Sequence, residues 1–201
     1  MRIAAGGALA STLLVLTALT PGASPPTAAD APAVPHYLLD PAKSTLEFTF
    51  SQAGALNKGK FTRFTTVLDF SAADLAASRL EVVVDVTSLD TGDQERDDTL
   101  RGADLFSVNK FPRARFTAAQ IVKTASGYEA VGKLTIRDST RDLRVPLTVR
   151  TVAEQGTSVC YLSGKTTLKR LDFGVGQGDW KATDQVGNDV AVAYALRLLA
   201  H

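Results

Sequence analysis

The stretch Leu143-Arg144-Val145-Pro146-Leu147-Thr148-Val149-Arg150 places an apolar residue at every second position. Successive side chains of a β-strand point to opposite faces, so this stretch predicts a strand with one apolar face. The same two-residue period recurs at residues 46–50, 80–86, 134–136 and 190–198. When nearly every strand carries an apolar face and no long helix is available to cover it, the sheet closes on itself or packs on another sheet. The sequence therefore predicts an all-β fold.

The turn signals set the number and order of the strands. Short turns such as Ser126-Gly127 leave no room for crossover connections, so we expect about eight antiparallel strands. Residues 58–70 predict one longer strand, in which Phe61 is out of step and indicates a bend. One polar segment interrupts the pattern and predicts a single short helical insertion, from about Asp93 to Arg101 and capped near Thr91.

The first residues have the pattern of a secretory signal. Arg2 precedes the uncharged apolar stretch Ile3 to Leu19, and small residues suitable for cleavage follow. We expect residues 1–29 to be removed on export to the periplasm or the exterior, with the cut after Ala29 or after Ala23. The alternative is a retained membrane anchor, although the stretch is at the short end for a spanning helix.

The remainder of the chain is expected to form a linker at residues 30–36 and one domain at residues 37–200. No apolar run beyond residue 30 is long enough to cross a bilayer as a helix. The formal charge is +1 over 201 residues, which gives no electrostatic reason to expect nucleic acid as a partner. Cys160 is the only cysteine, so it has no disulfide partner within the chain, and we interpret it as a buried, inert thiol.

Histidine is nearly absent, which argues against zinc sites and Ser-His-Asp catalysis. The chain has two histidines, His36 at the start of the domain and His201 at its end, and neither is placed within the fold. We therefore predict no metal, no cofactor and no catalytic residue. The alternative, an enzyme acting on an apolar substrate inside the barrel, would use Asp97 or Asp172 as acid or base and requires a carboxylate facing the interior.

The inward apolar residues either line a cavity or fill a solid core, and the sequence leaves both open. The residues expected to face the interior and contact a ligand there are Phe48, Phe50, Phe64, Leu68, Val82, Val84, Leu105, Phe106, Phe116, Leu134, Ile136, Val145, Leu147, Phe173 and Trp180. Arg96, Arg101 and Arg170 are candidates for binding a polar end, because arginine can donate two parallel hydrogen bonds to an anionic group. For each arginine the alternative is a salt bridge.

The order of motifs along the domain is distinctive. It comprises Tyr37-Leu38-Leu39-Asp40-Pro41, Leu89-Asp90-Thr91-Gly92, Asp104-Leu105-Phe106, Gly132-Lys133-Leu134-Thr135-Ile136 and Arg170-Leu171-Asp172-Phe173-Gly174. In this order the chain resembles the YceI-like family of exported bacterial proteins that bind lipids or polyisoprenoids. The resemblance implies a lipocalin-like antiparallel barrel with a helix-bearing insertion.

The resemblance also implies a function. Members of this family are taken to hold a long apolar chain in the barrel, so the expected partner is a long-chain isoprenoid or another amphiphilic lipid, bound for transport, storage or sequestration. This chain departs from the family at Gln52 and Thr99, where a histidine is frequent, so head-group selectivity is an open question. A third hypothesis, a structural or interaction module, predicts a solid core and an exposed apolar patch.

Overall fold

The computed structural model describes residues 34–201, so the predicted signal peptide and most of the predicted linker lie outside the described residues. The strands are β1 (His36–Leu39), β2 (Thr45–Gln52), β3 (Ala55–Phe61), β4 (Phe64–Asp69), β5 (Arg79–Asp85), β6 (Leu89–Asp90), β7 (Arg113–Thr124), β8 (Gly127–Ile136), β9 (Ser139–Glu154), β10 (Thr157–Lys169) and β11 (Val186–Ala200). The α-helix α1 (Gln94–Arg101) lies between β6 and β7. Within residues 34–201 no helix is long and apolar enough to cross a membrane.

Eight of these strands form a closed antiparallel ring. Their order is β1-β4-β5-β7-β8-β9-β10-β11, and β11 pairs again with β1. In this closing pair, Tyr37 lies opposite Ala200 and Leu39 lies opposite Leu198. Closure gives the backbone groups at both edges of the sheet a partner, which an open sheet would leave exposed. The prediction of a closed antiparallel barrel with one short helix is confirmed.

Three further strands, β2, β3 and β6, extend the sheet from the part of β11 that β1 does not cover. Because β1 is only four residues long, it covers only the end of β11, and β2 pairs with the remainder of the same edge. β3 then pairs with β2 and with the short β6. The single strand predicted at residues 58–70 is therefore two strands, because β3 follows β2 whereas β4 turns to pair with β1 and β5. The break falls at Thr62 and Arg63, next to the bend expected at Phe61.

The two ends of the barrel differ in how they are packed. Antiparallel order places the β7–β8 and β9–β10 turns at one end, here termed the filled end, and α1 and residues 170–185 at the other. At the filled end, Leu162, Leu198 and Cys160 are buried in the core. Burial raises the pKa of the Cys160 thiol to about 11, so the thiol is protonated at neutral pH and unreactive.

A network of charged groups fixes the chain at the filled end. Arg197 of β11 donates hydrogen bonds to Asp40 at 2.6 Å and to Glu154 at 2.8 Å, and the Tyr161 hydroxyl donates to Glu154 at 2.6 Å. The hydrogen bond from Tyr161, followed by that from Arg197, holds the pKa of Glu154 below its ordinary value of 4.5. A lowered folded-state pKa contributes stability that is present above 4.5 and is lost as the pH falls through the folded value.

Tyr161→Phe is therefore expected to lower the free energy of unfolding at neutral pH, because Glu154 loses a donor that favours its ionised form. The difference from the wild type should narrow in acid, where Glu154 is protonated in both proteins. Urea unfolding across the acid range measures it. Tyr128→Phe is the control, because the Tyr128 hydroxyl has no hydrogen bond within the described residues. If the loss of unfolding free energy in Tyr161→Phe did not change with pH, the role given to Glu154 would be contradicted.

Candidate functional site

A cavity of about 620 Å³ occupies the interior of the barrel between the filled end and α1. Of the fifteen residues expected to face the interior, fourteen line this cavity: Phe48, Phe50, Phe64, Val82, Val84, Leu105, Phe106, Phe116, Leu134, Ile136, Val145, Leu147, Phe173 and Trp180. The interior is hollow, which contradicts the solid core predicted for a structural module. Whether these residues contact a ligand stays a prediction.

Leu68 is the exception among the expected residues. It is fully buried, but it belongs to the core of the filled end, where it lies opposite Tyr37 and Leu80. The inward face of β4 is therefore divided along its length. Phe64 at one end of this strand lines the cavity, whereas the packed core closes over Leu68.

The last two strands also contribute to the cavity wall, although none of their residues is among the fifteen expected to contact a ligand. Thr166 and Leu168 of β10, and Val190, Val192 and Tyr194 of β11, also line the cavity. The two-residue period at residues 190–198 indicated the inward face of β11. In β10 the signal is weak, because the inward residues of its second half include a threonine and lie among other polar residues.

The cavity is wide because β9 and β10 separate over half of their length. They pair from Glu154 opposite Thr157 to Thr148 opposite Ser163. Beyond this point β9 pairs only with β8, and β10 pairs only with β11. Paired strands lie about 4.8 Å apart, so a barrel in which the two strands stayed paired would have a narrower interior.

Tyr194 lies where β9 and β10 separate. Its hydroxyl donates a hydrogen bond to the backbone carbonyl of Pro146 on β9. Burial raises the pKa of Tyr194 well above its ordinary value, so the hydroxyl stays protonated and remains a donor. Only a glycine at position 164 of β10 leaves room for this contact, because a Cβ there would overlap both the Tyr194 hydroxyl and the Pro146 carbonyl. The phenol therefore takes the place of the next backbone pair between the strands.

The cavity reaches solvent beside α1. Glu95 and Thr99 of α1 line the cavity and are exposed, and Gln52 at the end of β2 lines it and is half-buried. Trp180, from the segment between β10 and β11, lies half-buried against the cluster that contains Phe48. The opening bounded by Gln52, Glu95, Thr99 and Trp180 is here termed the mouth. Gln52 and Thr99, the two positions where the family often has a histidine, both lie at the mouth.

Arg170 fastens the segment between β10 and β11 and is not free to bind a ligand. It is buried, and its guanidinium donates four hydrogen bonds, to the backbone carbonyls of Val175, Ala182, Val186 and Gly187. These bonds use four of the five N–H donors of the side chain. Burial lowers the pKa of Arg170 from its ordinary value. The expected role of Arg170 at a ligand's polar end is therefore not supported by its contacts, although its side chain borders the cavity.

The other two candidate arginines differ in position. Arg101 does not line the cavity, and it donates hydrogen bonds to the backbone carbonyls of Thr87 at 3.2 Å and Leu89 at 2.6 Å, which fix α1 against β6. Arg96 does line the cavity, and its guanidinium lies 3.4 Å from the Asp93 carboxylate. Of the three, Arg96 alone borders the cavity with donors that are not committed to backbone carbonyls.

The acidic residues of the insertion hold its structure. Asp93, and not Thr91 as predicted, caps α1, because its carboxylate accepts the Arg96 amide at 3.0 Å. Thr91 instead donates from its hydroxyl to Asp97 at 2.7 Å. Neither Asp97 nor the exposed Asp172 lines the cavity, so neither lies where the enzyme hypothesis requires a carboxylate. The described residues contain no group of three or more acidic, histidine or cysteine side chains that could hold a metal ion.

An eight-stranded antiparallel barrel with an apolar cavity that opens beside a helical insertion defines the class of lipocalin-like barrels. Comparison with known proteins then gives the family. The model of the YceI-like domain matches residues 37–198. The chain therefore belongs to the YceI-like family, as the motif order predicted.

Similar proteins agree with this assignment. The crystal structure of BcnA from Burkholderia cenocepacia is 30% identical and has a TM-score of 0.74, covering 79% of this chain and 98% of that one. A polyisoprenoid binding domain from Saccharophagus degradans is 19% identical with a TM-score of 0.64, covering 82% of this chain and 98% of that one, and it shows the fold alone. A UPF0312 protein of Yersinia enterocolitica is 39% identical over 83 residues, which span 41% of this chain and only 43% of that protein.

The contact between Tyr194 and Pro146 yields a test. Tyr194→Phe removes the hydrogen bond to the carbonyl of Pro146, an exposed residue, so we expect the free energy of unfolding to fall by about 0.5–1.5 kcal/mol. Urea denaturation measures the change, with Tyr128→Phe as the control for loss of a hydroxyl. Gly164→Ala should also destabilise the wild type, but it should cost less in a Tyr194→Ala background, where the overlap with the phenol is removed and only that with the Pro146 carbonyl remains. Additive effects of the two changes would contradict a shared contact.

Proposed function

We propose that this chain is an exported binding protein that holds a polyisoprenoid or another long-chain amphiphilic lipid in its barrel, for transport, storage or sequestration. The observation that carries the proposal is the cavity, whose wall consists mainly of aliphatic and aromatic side chains and whose carboxylates, Asp93 and Glu95, lie at the mouth. The description of the similar Saccharophagus degradans domain as polyisoprenoid binding supports the same ligand class. Export rests on the pattern of residues 1–29, which lie outside the described residues.

The size of the cavity suits part of a long chain. Small-molecule sites typically have volumes of about 300–1,000 Å³. At roughly 30 Å³ for a water-sized group, the 620 Å³ cavity holds about twenty non-hydrogen atoms. Each methylene removed from water contributes about 0.8 kcal/mol, so a tail of this length binds tightly without specific polar contacts, even after its ordering cost. A longer tail would extend through the mouth.

The polar end of the ligand is proposed to lie at the mouth. Arg96, Thr99 and Gln52 all reach the cavity there and offer hydrogen-bond donors. The Arg96 guanidinium lies beside Asp93, so a head group must share it with that carboxylate. Arg101 and Arg170 are not part of this proposal, because their donors are bound to backbone carbonyls.

A binding role without catalysis fits the chemistry of the wall. The carboxylates that reach the cavity, Asp93 and Glu95, belong to the helical insertion at the mouth and not to the deep wall. The buried basic group that borders the cavity, Arg170, is occupied by backbone carbonyls. General acid–base catalysis needs a titratable group beside the reacting bond. Among the described residues, no histidine or cysteine lines the cavity, and Tyr194 of β11 is held as a hydrogen-bond donor to Pro146.

Mass spectrometry of the mature protein tests the proposal. The protein is purified from the periplasmic fraction without detergent, and its organic extract is analysed for lipids, with the intact mass recorded in parallel. We expect a long-chain isoprenoid or another amphiphilic lipid in the extract, and an intact mass that corresponds to cleavage after Ala29 or after Ala23. Protein that carries no lipid and takes none up from added isoprenoid mixtures would refute lipid binding.

Two adjacent valines of β5 provide a matched pair of variants. Val82 lines the cavity, whereas Val83 points to the opposite face of the strand. Val82→Trp should displace about two methylenes of the tail, which at ~0.8 kcal/mol each is about tenfold in affinity. Val83→Trp should leave lipid binding unchanged. Titration of delipidated protein with a fluorescent long-chain lipid measures both, and equal affinities would place the ligand outside the cavity.

A further inference from the structure

Two tight turns of the chain have the same backbone conformation but opposite chemistry. The β2–β3 turn is Ala53-Gly54, with φ values of 48° and 80°, and the β9–β10 turn is Gln155-Gly156, with φ values of 49° and 82°. Both are two-residue hairpin turns, in which positive φ favours Asn, Asp or Gly. At the filled end the first residue is the polar Gln155. At the other end it is Ala53, whose apolar methyl group offers the turn no hydrogen bond.

The tip of the β2–β3 hairpin is apolar although it is exposed. Residues 53–56, here termed the apolar tip, are Ala, Gly, Ala and Leu, and all four are exposed. Leu56 is 77% exposed and is the only large hydrophobic side chain with such exposure in residues 34–201. The run from Phe48 to Asn57 contains no charged residue. An apolar residue in a strained turn conformation next to an exposed leucine indicates a role beyond folding.

The apolar tip stands at the rim of the mouth. Ala55 of the tip lies directly opposite Gln52, and Gln52 lines the cavity. Antiparallel order places this turn at the same end of the barrel as α1 and Trp180. A surface that the tip contacts would therefore face the opening through which a ligand passes.

We infer that the apolar tip inserts into the surface of a lipid bilayer and brings the mouth against the membrane lipids. The inference rests on the proposed function for its purpose, since a lipid carrier must exchange its cargo with a membrane. The contact itself requires no bound ligand. One leucine and two alanines bury little area, so the contact is weak and reversible, as suits a protein that must leave the membrane again.

A protein partner fits the tip less well than a bilayer does. The outer edge of β3 is unpaired before Lys60, because β6 pairs only with Lys60 and Phe61. Such an edge can add a strand from another chain, but Lys58 and Lys60 lie along it, and edge lysines oppose strand addition. The side chain of Leu56 remains as a single apolar group at the tip, which suits shallow insertion among lipids and not a protein interface of ordinary area.

The charges at the mouth end are balanced. Asp93, Glu95 and Asp98 of the insertion are exposed there, and so are Lys58, Lys60 and Lys181. Insertion of the tip is driven by removal of apolar area from water and not by ion pairing. The association should therefore persist in high salt, and it should change little when anionic lipid is added to the vesicles.

Vesicle partitioning of the mature protein tests the inference. Flotation with phosphatidylcholine vesicles is compared for the wild type, Leu56→Asn, Ala53→Asn and the matched control Gln155→Asn. Loss of the leucine contact should lower partitioning about tenfold. Ala53→Asn should also lower partitioning while raising the free energy of unfolding, because asparagine suits positive φ. Gln155→Asn should leave partitioning unchanged.

The inference is overturned if Leu56→Asn partitions like the wild type, or if the wild type does not associate with vesicles. It is also overturned if sedimentation velocity shows self-association that Leu56→Asn removes while vesicles are ignored, since the tip would then be a protein contact. Delipidated protein is tested beside the protein as purified. Vesicle binding by protein that never carries lipid would leave the inference standing and refute the proposed function. Protein that carries lipid but does not bind vesicles would refute the inference and leave the proposed function standing.

Discussion

The separation of β9 from β10 is the constraint on which the cavity depends. The two strands cannot pair beyond Thr148 and Ser163, because the Tyr194 phenol lies between them and bonds the Pro146 carbonyl. The Pro146 carbonyl has no partner on β10 here, and the Tyr194 hydroxyl donates to it from the cavity side of β11. The barrel therefore widens without leaving that carbonyl unpaired, and the widened part is the hollow part.

Widening one side of the barrel creates a gap that the chain has to cover. The segment between β10 and β11 does so, and it contributes Phe173, Val175 and Trp180 to the cavity wall. It has little regular structure, so its carbonyls need donors from elsewhere. Arg170 supplies them with four hydrogen bonds. An irregular cover held by a buried arginine keeps an apolar inner surface, which a cover stabilised by exposed polar side chains would not.

The division of the barrel into a filled and a hollow part also organises its surface. At the filled end, Arg197 joins Asp40 and Glu154, and the β9–β10 turn is polar. At the mouth, the helical insertion is acidic and the β2–β3 turn is apolar. The filled end therefore has a polar, charged surface that suits contact with water, and the mouth has an apolar turn that suits contact with an apolar phase.

Much of the fold was predictable because strand alternation is a local property. Each inward residue such as Val82 or Ile136 is assigned by its neighbours two positions away, and this assignment survives any arrangement of the other strands. The roles of the arginines were not predictable in this way, because they depend on contacts between residues that are distant in sequence. Arg170 and Arg101 have the same side chain as Arg96, but the first two bind carbonyls that are distant in sequence. The cap of α1 was misplaced by two residues for a related reason, since Thr91 and Asp93 both suit a cap and the fold gives Thr91 another partner, Asp97.

The sequence by itself determined the class of fold, the family and the apolar character of the inner wall, because these follow from residue order and from a period of two. Only the tertiary structure decided that the wall encloses space. An apolar residue looks the same whether it meets a neighbour, as Leu68 does, or faces a cavity, as Phe64 does on the same strand. The distance across a barrel depends on how far its strands stay paired. Here that distance is set by a contact between Tyr194, Pro146 and Gly164, three residues that only the folded chain brings together.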